Sequence, residues 1–128
     1  MKSPKIAIDA SHFNEFAFDG LNRYIGEILR AVDRQSEDFT IYTAADGVSS
    51  RFPHRLCKIA SRTIYQNNFR GNFSRLLWHQ TAFPHKLARD DISLVYSPVP
   101  EGMLFPTCPQ VITIHDLLPL FFPETYPR

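Results

Sequence analysis

Between two short apolar runs near the start of the chain, apolar residues recur with helical periodicity. This pattern constrains the fold most. The first run, Lys5–Ala10, has the length and composition of a buried strand and ends beside the polar Asp9. A second strand is predicted at Phe39–Thr43. This strand–helix–strand pattern is typical of a βαβ unit and a parallel sheet. The apolar positions of the intervening helix, which Gly20 opens, are Leu21, Tyr24, Ile25, Ile28, Leu29 and Val32.

The rest of the chain continues the alternation of strands and helices. Pro84 is expected to kink the second predicted helix or to divide it in two, and the residues after Asp116 are expected to form a loop. We therefore predict an α/β fold with a Rossmann-like, mainly parallel sheet and flanking helices, in one domain over residues 1–128. The further predicted elements are a weak strand at Arg55–Ile59, the helix Phe73–Arg89, and strands at Ile92–Ser97 and Gln110–Ile114.

Basic residues are concentrated in the middle of a chain whose net charge is only +1. The segment 47–89 contains no acidic residue, which predicts an electropositive surface. Because apolar and aromatic residues are interleaved with these bases, the segment suits an anionic membrane or a lipid-linked acceptor. The alternative is an ordinary solvated positive face, and no base-reading motif indicates nucleic acid. The candidate surface residues are Arg51, Arg55, Lys58, Arg62 and Arg70.

Several classes of protein are disfavoured by what the sequence lacks. No apolar run approaches the roughly 18–20 residues of a membrane-spanning helix, and the first residues lack the apolar core of a signal peptide. Cys57 and Cys108 are not spaced as a metal-binding pair, and the histidines show no ligand spacing. We expect a cytoplasmic protein without a bound metal or other cofactor, with peripheral contact to the inner face of the membrane.

The turn before the first helix is one candidate binding site. A helix that follows the first strand of an α/β sheet directs its free backbone N–H groups and positive dipole end toward the ligand crevice. Gly20 would allow a phosphate to approach the backbone closely, and Leu21 and Asn22 follow it. The alternative is a glycine that merely turns the chain. There is no G-x-G-x-x-G motif and no P-loop, so neither a dinucleotide-binding fold nor an NTPase is predicted.

The pair His115–Asp116 is the second candidate, because it directly follows a predicted strand. In an open parallel sheet, ligands bind outside the carboxyl ends of the strands. The alternative is a histidine that is hydrogen-bonded at the end of a core strand. Asp9 also ends a strand, but it lacks the second aspartate that a magnesium-dependent phosphotransfer nucleophile needs, so that role is disfavoured.

Five segments, taken in order, resemble the amino-terminal domain of family 4 glycosyltransferases, which have the two-domain GT-B fold. The subgroup that the chain is most similar to transfers sugars during bacterial polysaccharide or glycolipid assembly. The matching segments are Ile6–Ser11, Gly20–Ile25, Arg75–Gln80, Leu94–Pro98 and Val111–Leu120.

The resemblance implies a retaining, metal-independent enzyme that uses a nucleotide-sugar donor and a glycan or lipid-linked acceptor. His115 falls on the family's catalytic histidine, which contacts the donor sugar, and Asp116 is its usual companion. Gly20, Leu21 and Asn22 fall on the donor-facing loop, where the family often has a second glycine in place of Asn22.

The resemblance also implies an incomplete enzyme. The paired glutamates with which the family's second domain holds the donor nucleotide are absent from this sequence. We therefore expect this polypeptide to have little or no transferase activity without a carboxyl-terminal domain or a partner chain. Two alternatives stay open: a non-catalytic binding module, and one chain of a split glycosyltransferase.

Overall fold

A five-stranded parallel sheet forms the centre of the fold in the computed structural model, which describes residues 3–35, 38–52, 56–59 and 69–125. The strand order is β3-β2-β1-β4-β5, and every neighbouring pair is parallel. The predicted α/β class and parallel sheet are therefore confirmed. The strands are β1 (Lys5–Asp9), β2 (Asp38–Thr43), β3 (Leu56–Lys58), β4 (Leu94–Ser97) and β5 (Gln110–Ile112).

Helices connect the strands and cover both faces of the sheet. They are α1 (Gly20–Asp33), α2 (Asp46–Arg51), α3 (Phe69–Gln80), α4 (Ala82–Arg89) and α5 (Leu118–Phe121), followed by a short 3-10 helix at Pro123–Thr125. No helix in the described ranges is long and apolar enough to cross a membrane.

Two apolar clusters hold these layers together. On one face of the sheet, α1 and the region of α2 pack against β1 and β2, with Ile25 and Leu29 buried beside Ile8. On the other face, Phe83 and Leu87 of α4 are buried in the second cluster. Because successive residues of a strand point to opposite faces, β1 supplies Ala7 and Ile8 to different clusters.

The strand order places a crevice between the carboxyl ends of β1 and β4. The chain steps outward from β1 through β2 to β3 on one side, then returns to β4 on the other side of β1. Ligands of open α/β sheets bind at such a reversal of strand order. Asp9 at the end of β1 and Ser97 at the end of β4 are both buried beneath this crevice.

The predicted helix Phe73–Arg89 is divided into two helices, which was one of the two expected outcomes. The division is not at Pro84, however. The break lies at Thr81, and α3 begins four residues earlier than predicted. Pro84 lies in the first turn of α4. The N–H groups of a first turn have no partner within the helix, so a proline is tolerated there.

The carboxyl-terminal region differs from its prediction in two ways. Strand β5 ends at Ile112 rather than Ile114, because its pairing with β4 ends with Ser97 opposite Ile112. The residues after Asp116 form the short helix α5 instead of a loop. The carboxylate of Asp116 accepts a hydrogen bond from the backbone N–H of Leu118 at 2.7 Å and so stabilises the start of that helix.

Helix α3 is amphipathic in the opposite sense to an ordinary surface helix, which buries its apolar side. Its polar residues Arg75 and His79, one turn apart, are buried together with Gly71. Most of its apolar side chains face solvent, and Phe69 is 84% exposed. Trp78 is the exception, because it is partly buried and packs against the cluster that contains Phe83 and Leu87. The apolar stripe of α3 comprises Phe69, Phe73, Leu76 and Leu77.

Candidate functional site

A buried ion pair lies at the carboxyl end of β1. The Nε2 atom of His79 is 2.6 Å from Oδ2 of Asp9, and both side chains are at most 2% exposed. The other ring nitrogen, Nδ1, is 2.8 Å from the backbone carbonyl of Arg75. A carbonyl can only accept a hydrogen bond, and a carboxylate accepts as well. Both ring nitrogens of His79 therefore carry protons, and the ring is an imidazolium.

Each partner of this pair stabilises the charged form of the other. Burial disfavours both ionised forms, but the hydrogen bond and charge of Asp9 outweigh it and raise the pKa of His79 above its ordinary value of 6.5. Burial likewise opposes ionisation of Asp9, but the hydrogen bond and charge of His79 hold its pKa below 3.8. A nucleophilic role for Asp9 is unsupported, because its carboxylate is enclosed and paired.

A second ion pair lies beside the first and extends the cluster to the loop after β4. The Nε atom of Arg75 donates to both carboxylate oxygens of Glu101, at 3.0 and 2.9 Å. The Arg75 side chain is 9% exposed, whereas that of Glu101 is 32% exposed. Glu101 is therefore the member of this network that a ligand can reach. It lies beside the Asp9–His79 pair, and ionisable groups with shifted pKa values at a crevice are candidates for a functional site.

Two adjacent residues at the same end of β1 carry unsatisfied polar atoms. Among the described residues, Ser11 Oγ and His12 Nδ1 are the buried side-chain atoms without a hydrogen-bond partner. Nδ1 of His12 is 3.9 Å from a Glu101 oxygen, which is too far for a hydrogen bond. Burial and the nearby Arg75 cation lower the pKa of His12 below 6.5. Its imidazole is therefore neutral at pH 7, in contrast to that of His79.

The predicted turn at Gly20 lies at the start of α1, beside an open groove of about 640 Å³. The carboxylate of Asp19 caps this helix by accepting from the backbone N–H of Asn22 at 2.9 Å. That bond, with a second from the Asn22 side chain, lowers the pKa of Asp19. The negative charge that a helix start attracts is therefore already supplied by Asp19, which disfavours a diphosphate at the same position.

The other predicted donor contacts of this turn have structural partners. Asn22 is buried, donates to Asp19 at 2.7 Å and accepts from the backbone N–H of Asn14 at 2.7 Å, so it fixes the loop after β1. Leu21 packs against the cluster that contains Ile25. The predicted place of Asn22 on a donor-facing loop stays a prediction, and a donor contact there would use its remaining hydrogen-bonding capacity.

Gly20 is not required by the local packing, which gives a testable prediction. A Cβ atom built there meets nothing within 4 Å, and its φ is not positive. We therefore expect Gly20→Ala to raise the free energy of unfolding by about 0.4–1 kcal/mol through the entropy of the unfolded chain. Urea denaturation measures this change. A loss of stability would mean that the chain itself, rather than a ligand, needs the glycine.

His115 lies beyond the end of β5 and contacts α1. Its Nε2–H donates to the carbonyl of Pro98 at 2.6 Å, which leaves Nδ1 as the ring nitrogen with a lone pair when the ring is neutral. The Tyr24 ring meets the imidazole edge-on, with 4.9 Å between ring centroids. The Tyr24 hydroxyl is 2.9 Å from that of Tyr96, which is 2.9 Å from Thr113 Oγ1. These contacts hold an exposed histidine in one orientation.

The predicted basic surface is only partly described. Arg51 ends α2 and Arg70 is the second residue of α3, and both are exposed. Helix α2 and the α3–α4 pair lie on opposite faces of the sheet, so these two residues do not share one helical surface. Arg55 and Arg62 lie outside the described residues, as does the side chain of Lys58.

The sequence prediction missed the most enclosed part of the site. Neither Arg75, His79 nor Glu101 was selected as a functional residue, because each gains its partner only through tertiary contacts. The spacing of Arg75 and His79 was a usable signal, since two polar residues four apart lie on one side of a helix.

The residues that could bind a metal or supply a thiol can be located only in the part of the chain that is described. Within those ranges, no group of three or more His, Cys, Asp or Glu residues is arranged to hold a metal ion. Cys108 is a free, half-buried thiol, and burial raises its pKa. The side chain of Cys57 lies outside the description.

Comparisons with protein-family models, with curated proteins and with solved structures give no match to this chain.

Proposed function

We propose that this chain is the acceptor-side Rossmann-like domain of a retaining GT-B glycosyltransferase. The enzyme would transfer a sugar from a nucleotide-sugar donor to a polysaccharide or lipid-linked acceptor. His115 and the turn at Gly20 would contact the donor sugar, and a second domain or partner chain would bind most of the nucleotide. Because an isolated half cannot enclose both substrates, the chain alone would have little activity.

The observation that carries this proposal is the contact between His115 and Tyr24. The two residues belong to segments far apart in the sequence, yet their rings are 4.9 Å apart at one edge of the sheet. The histidine therefore contacts the helix that begins at Gly20, about one turn after that glycine. With Nε2 bonded to Pro98, Nδ1 of His115 can accept a hydrogen bond from a sugar hydroxyl.

The proposal is tested with the full-length natural protein, incubated with a panel of nucleotide sugars and a mixed glycan and glycolipid acceptor fraction. We expect transfer from one donor, without added metal, into a product whose anomeric configuration matches that of the donor. Nuclear magnetic resonance of the product determines that configuration. Inversion would contradict the retaining class, and no transfer or donor hydrolysis with any donor would contradict the enzyme.

The apolar stripe of α3 supports the membrane-associated form of this proposal. An apolar stripe on a helix with the exposed cation Arg70 suits an anionic lipid surface. We expect the chain to bind phosphatidylglycerol vesicles at low ionic strength and to bind them less well as salt screens the charges. Co-sedimentation measures the bound fraction.

A pair of variants tests which apolar residues contact the vesicle. Burying a phenylalanine contributes roughly 1.5–3 kcal/mol, so Phe73→Asp should weaken binding by about tenfold or more. Leu120→Asp also removes an exposed apolar side chain, but from α5, and should have little effect. Absence of binding at low ionic strength, or equal losses in both variants, would exclude a membrane contact through α3.

A non-catalytic module that binds neutral glycans is the second candidate. It is favoured by Asp19, whose carboxylate occupies the anion-attracting start of α1. Such a module would bind the glycan as tightly without a nucleotide sugar as with one. A transferase would show coupling between the two ligands, which calorimetry with the full-length protein can measure.

A further inference from the structure

A cavity of about 430 Å³ lies between α3 and the loop that joins β4 to β5. This volume is within the roughly 300–1,000 Å³ that is usual for small-molecule sites. It is separate from the groove at Gly20, which is lined by other residues. Its lining combines the polar Arg75, Gln80 and Glu101 with the apolar Leu76 and Leu104.

The loop wall of this cavity is fixed by two glutamine side chains. Gln80 donates to the carbonyl of Gly102 at 2.9 Å and accepts from the N–H of Leu104 at 2.8 Å. Gln110 likewise donates to the carbonyl of Met103 and accepts from its N–H, at 2.7 and 2.9 Å. A wall held in this way loses little conformational entropy when a ligand binds.

The charges around the cavity favour an uncharged ligand with hydroxyl groups. The cation of Arg75 is paired with Glu101, and that of His79 is paired with Asp9. An anion would meet the Glu101 carboxylate, and a cation would meet two positive groups. A hydroxyl group can donate to Glu101, which remains 32% exposed.

The apolar part of the lining is exposed in a way that suits the C–H face of a sugar ring. Leu76 is 56% exposed and Leu104 is 77% exposed, and they come from opposite walls, α3 and the β4–β5 loop. Covering such surface on binding is favourable in proportion to the apolar area removed from water. A pyranose presents hydroxyl groups at its edge and C–H groups on its faces.

We propose that this cavity binds the neutral pyranose ring of the acceptor, with ring hydroxyls at Glu101 and a C–H face against Leu76 and Leu104. The inference rests on the proposed function, because it specifies where that function's acceptor binds. It assigns the acceptor to a polar cavity rather than to the basic residues selected from the sequence.

The test uses calorimetry of the chain with the methyl glycosides of glucose, galactose, mannose and N-acetylglucosamine as probes. We expect saturable binding of at least one glycoside with a Kd in the roughly millimolar range. Leu76→Asp should weaken it by about tenfold or more. Leu77→Asp is the matched control in this lipid-free assay, since Leu77 is the next residue of α3, is similarly exposed and does not line the cavity.

Glu101→Gln is the second variant, and it should also weaken binding. Because it removes the partner of the buried Arg75, it can unfold the chain, whereas the exposed position of Leu76 makes Leu76→Asp safe in this respect. No binding of any probe, equal effects of Leu76→Asp and Leu77→Asp, or preferred binding of inorganic phosphate would each overturn the proposal.

The outcomes also separate this inference from the proposed function. Glycoside binding that depends on Leu76, in a full-length protein that transfers no sugar, would keep the cavity and reject the transferase. Sugar transfer that Leu76→Asp leaves unchanged, in KM for the acceptor as well as in kcat, would keep the transferase and reject the cavity.

Discussion

Replacing His79 with alanine is expected to lower the free energy of unfolding by about 3–5 kcal/mol, because removal of one partner leaves the other charge buried and unpaired. The partner left behind is Asp9, which is 1% exposed. Urea denaturation can be followed by fluorescence of Trp78, the single tryptophan, whose ring centroid is 4.9 Å from that of His79.

The control for this variant is His85→Ala, one helix further along the chain. His85 is exposed and forms a hydrogen bond with the carbonyl of Thr81 in the preceding turn, so we expect a loss below about 1 kcal/mol. The double variant Asp9→Ala/His79→Ala should lose less than the sum of the two single variants, because neither charge remains. Additive losses would show that the pair is not coupled.

The wild-type chain also provides a test that needs no variant. The pKa of His79 is raised, so its contribution to stability is complete below pH 6.5 and is lost as pH rises through its folded-state pKa. The pKa of Asp9 is lowered, so its contribution is complete above pH 3.8 and is lost as pH falls through its folded-state pKa. The pair therefore contributes fully between pH 3.8 and 6.5. A stability that keeps rising well above this range would contradict a charged His79.

The proposed function leads us to expect that replacing His115 with alanine lowers the rate of sugar transfer by the full-length protein about a hundredfold or more, which is typical for loss of a group that acts in the transition state. Stability should change by less than about 1 kcal/mol, because the side chain is exposed. Initial rates with the identified donor and urea denaturation of the same preparations give both quantities.

The exposed His85 is again the control, since His85→Ala removes an imidazole far from the end of β5 in the sequence. It should leave transfer within about twofold of wild type. Transfer by His115→Ala at a near-normal rate would remove the assigned role. A variant that instead loses as much free energy of unfolding as it gains in activation free energy for transfer would give a different answer. That result would indicate that His115 acts as a structural link between Pro98 and Tyr24.

The strands and α1 could be predicted from the sequence because their burial is decided locally. In α1, Ile25, Leu29 and Val32 recur on one side of the helix and are all buried. The short helix α2 carries no such repeat. It is stabilised by Val48 and the following Phe52, which pack against the same cluster as α1, and local sequence does not encode that contact.

From the sequence, a site residue could be predicted only where it directly follows a strand. His115 was selected because it follows a strand, and it does lie at that edge of the sheet. The orientation of α3 depends instead on Asp9 and Glu101, which lie 70 residues before and 22 residues after His79. Because these two carboxylates pair with His79 and Arg75, the polar side of α3 is buried. Its apolar side is left exposed, although burial would favour apolar residues.

In helix α3, the buried polar residues are needed for the fold, whereas the exposed apolar residues are not. Polar substitutions in the stripe of Phe69, Phe73, Leu76 and Leu77 should leave the fold intact, since about half or more of each residue is exposed. Retention of large apolar residues there would be explained by what they contact outside the domain. Among natural variants, polar replacements at these four positions together would mark a protein that has lost its external contact while keeping its fold.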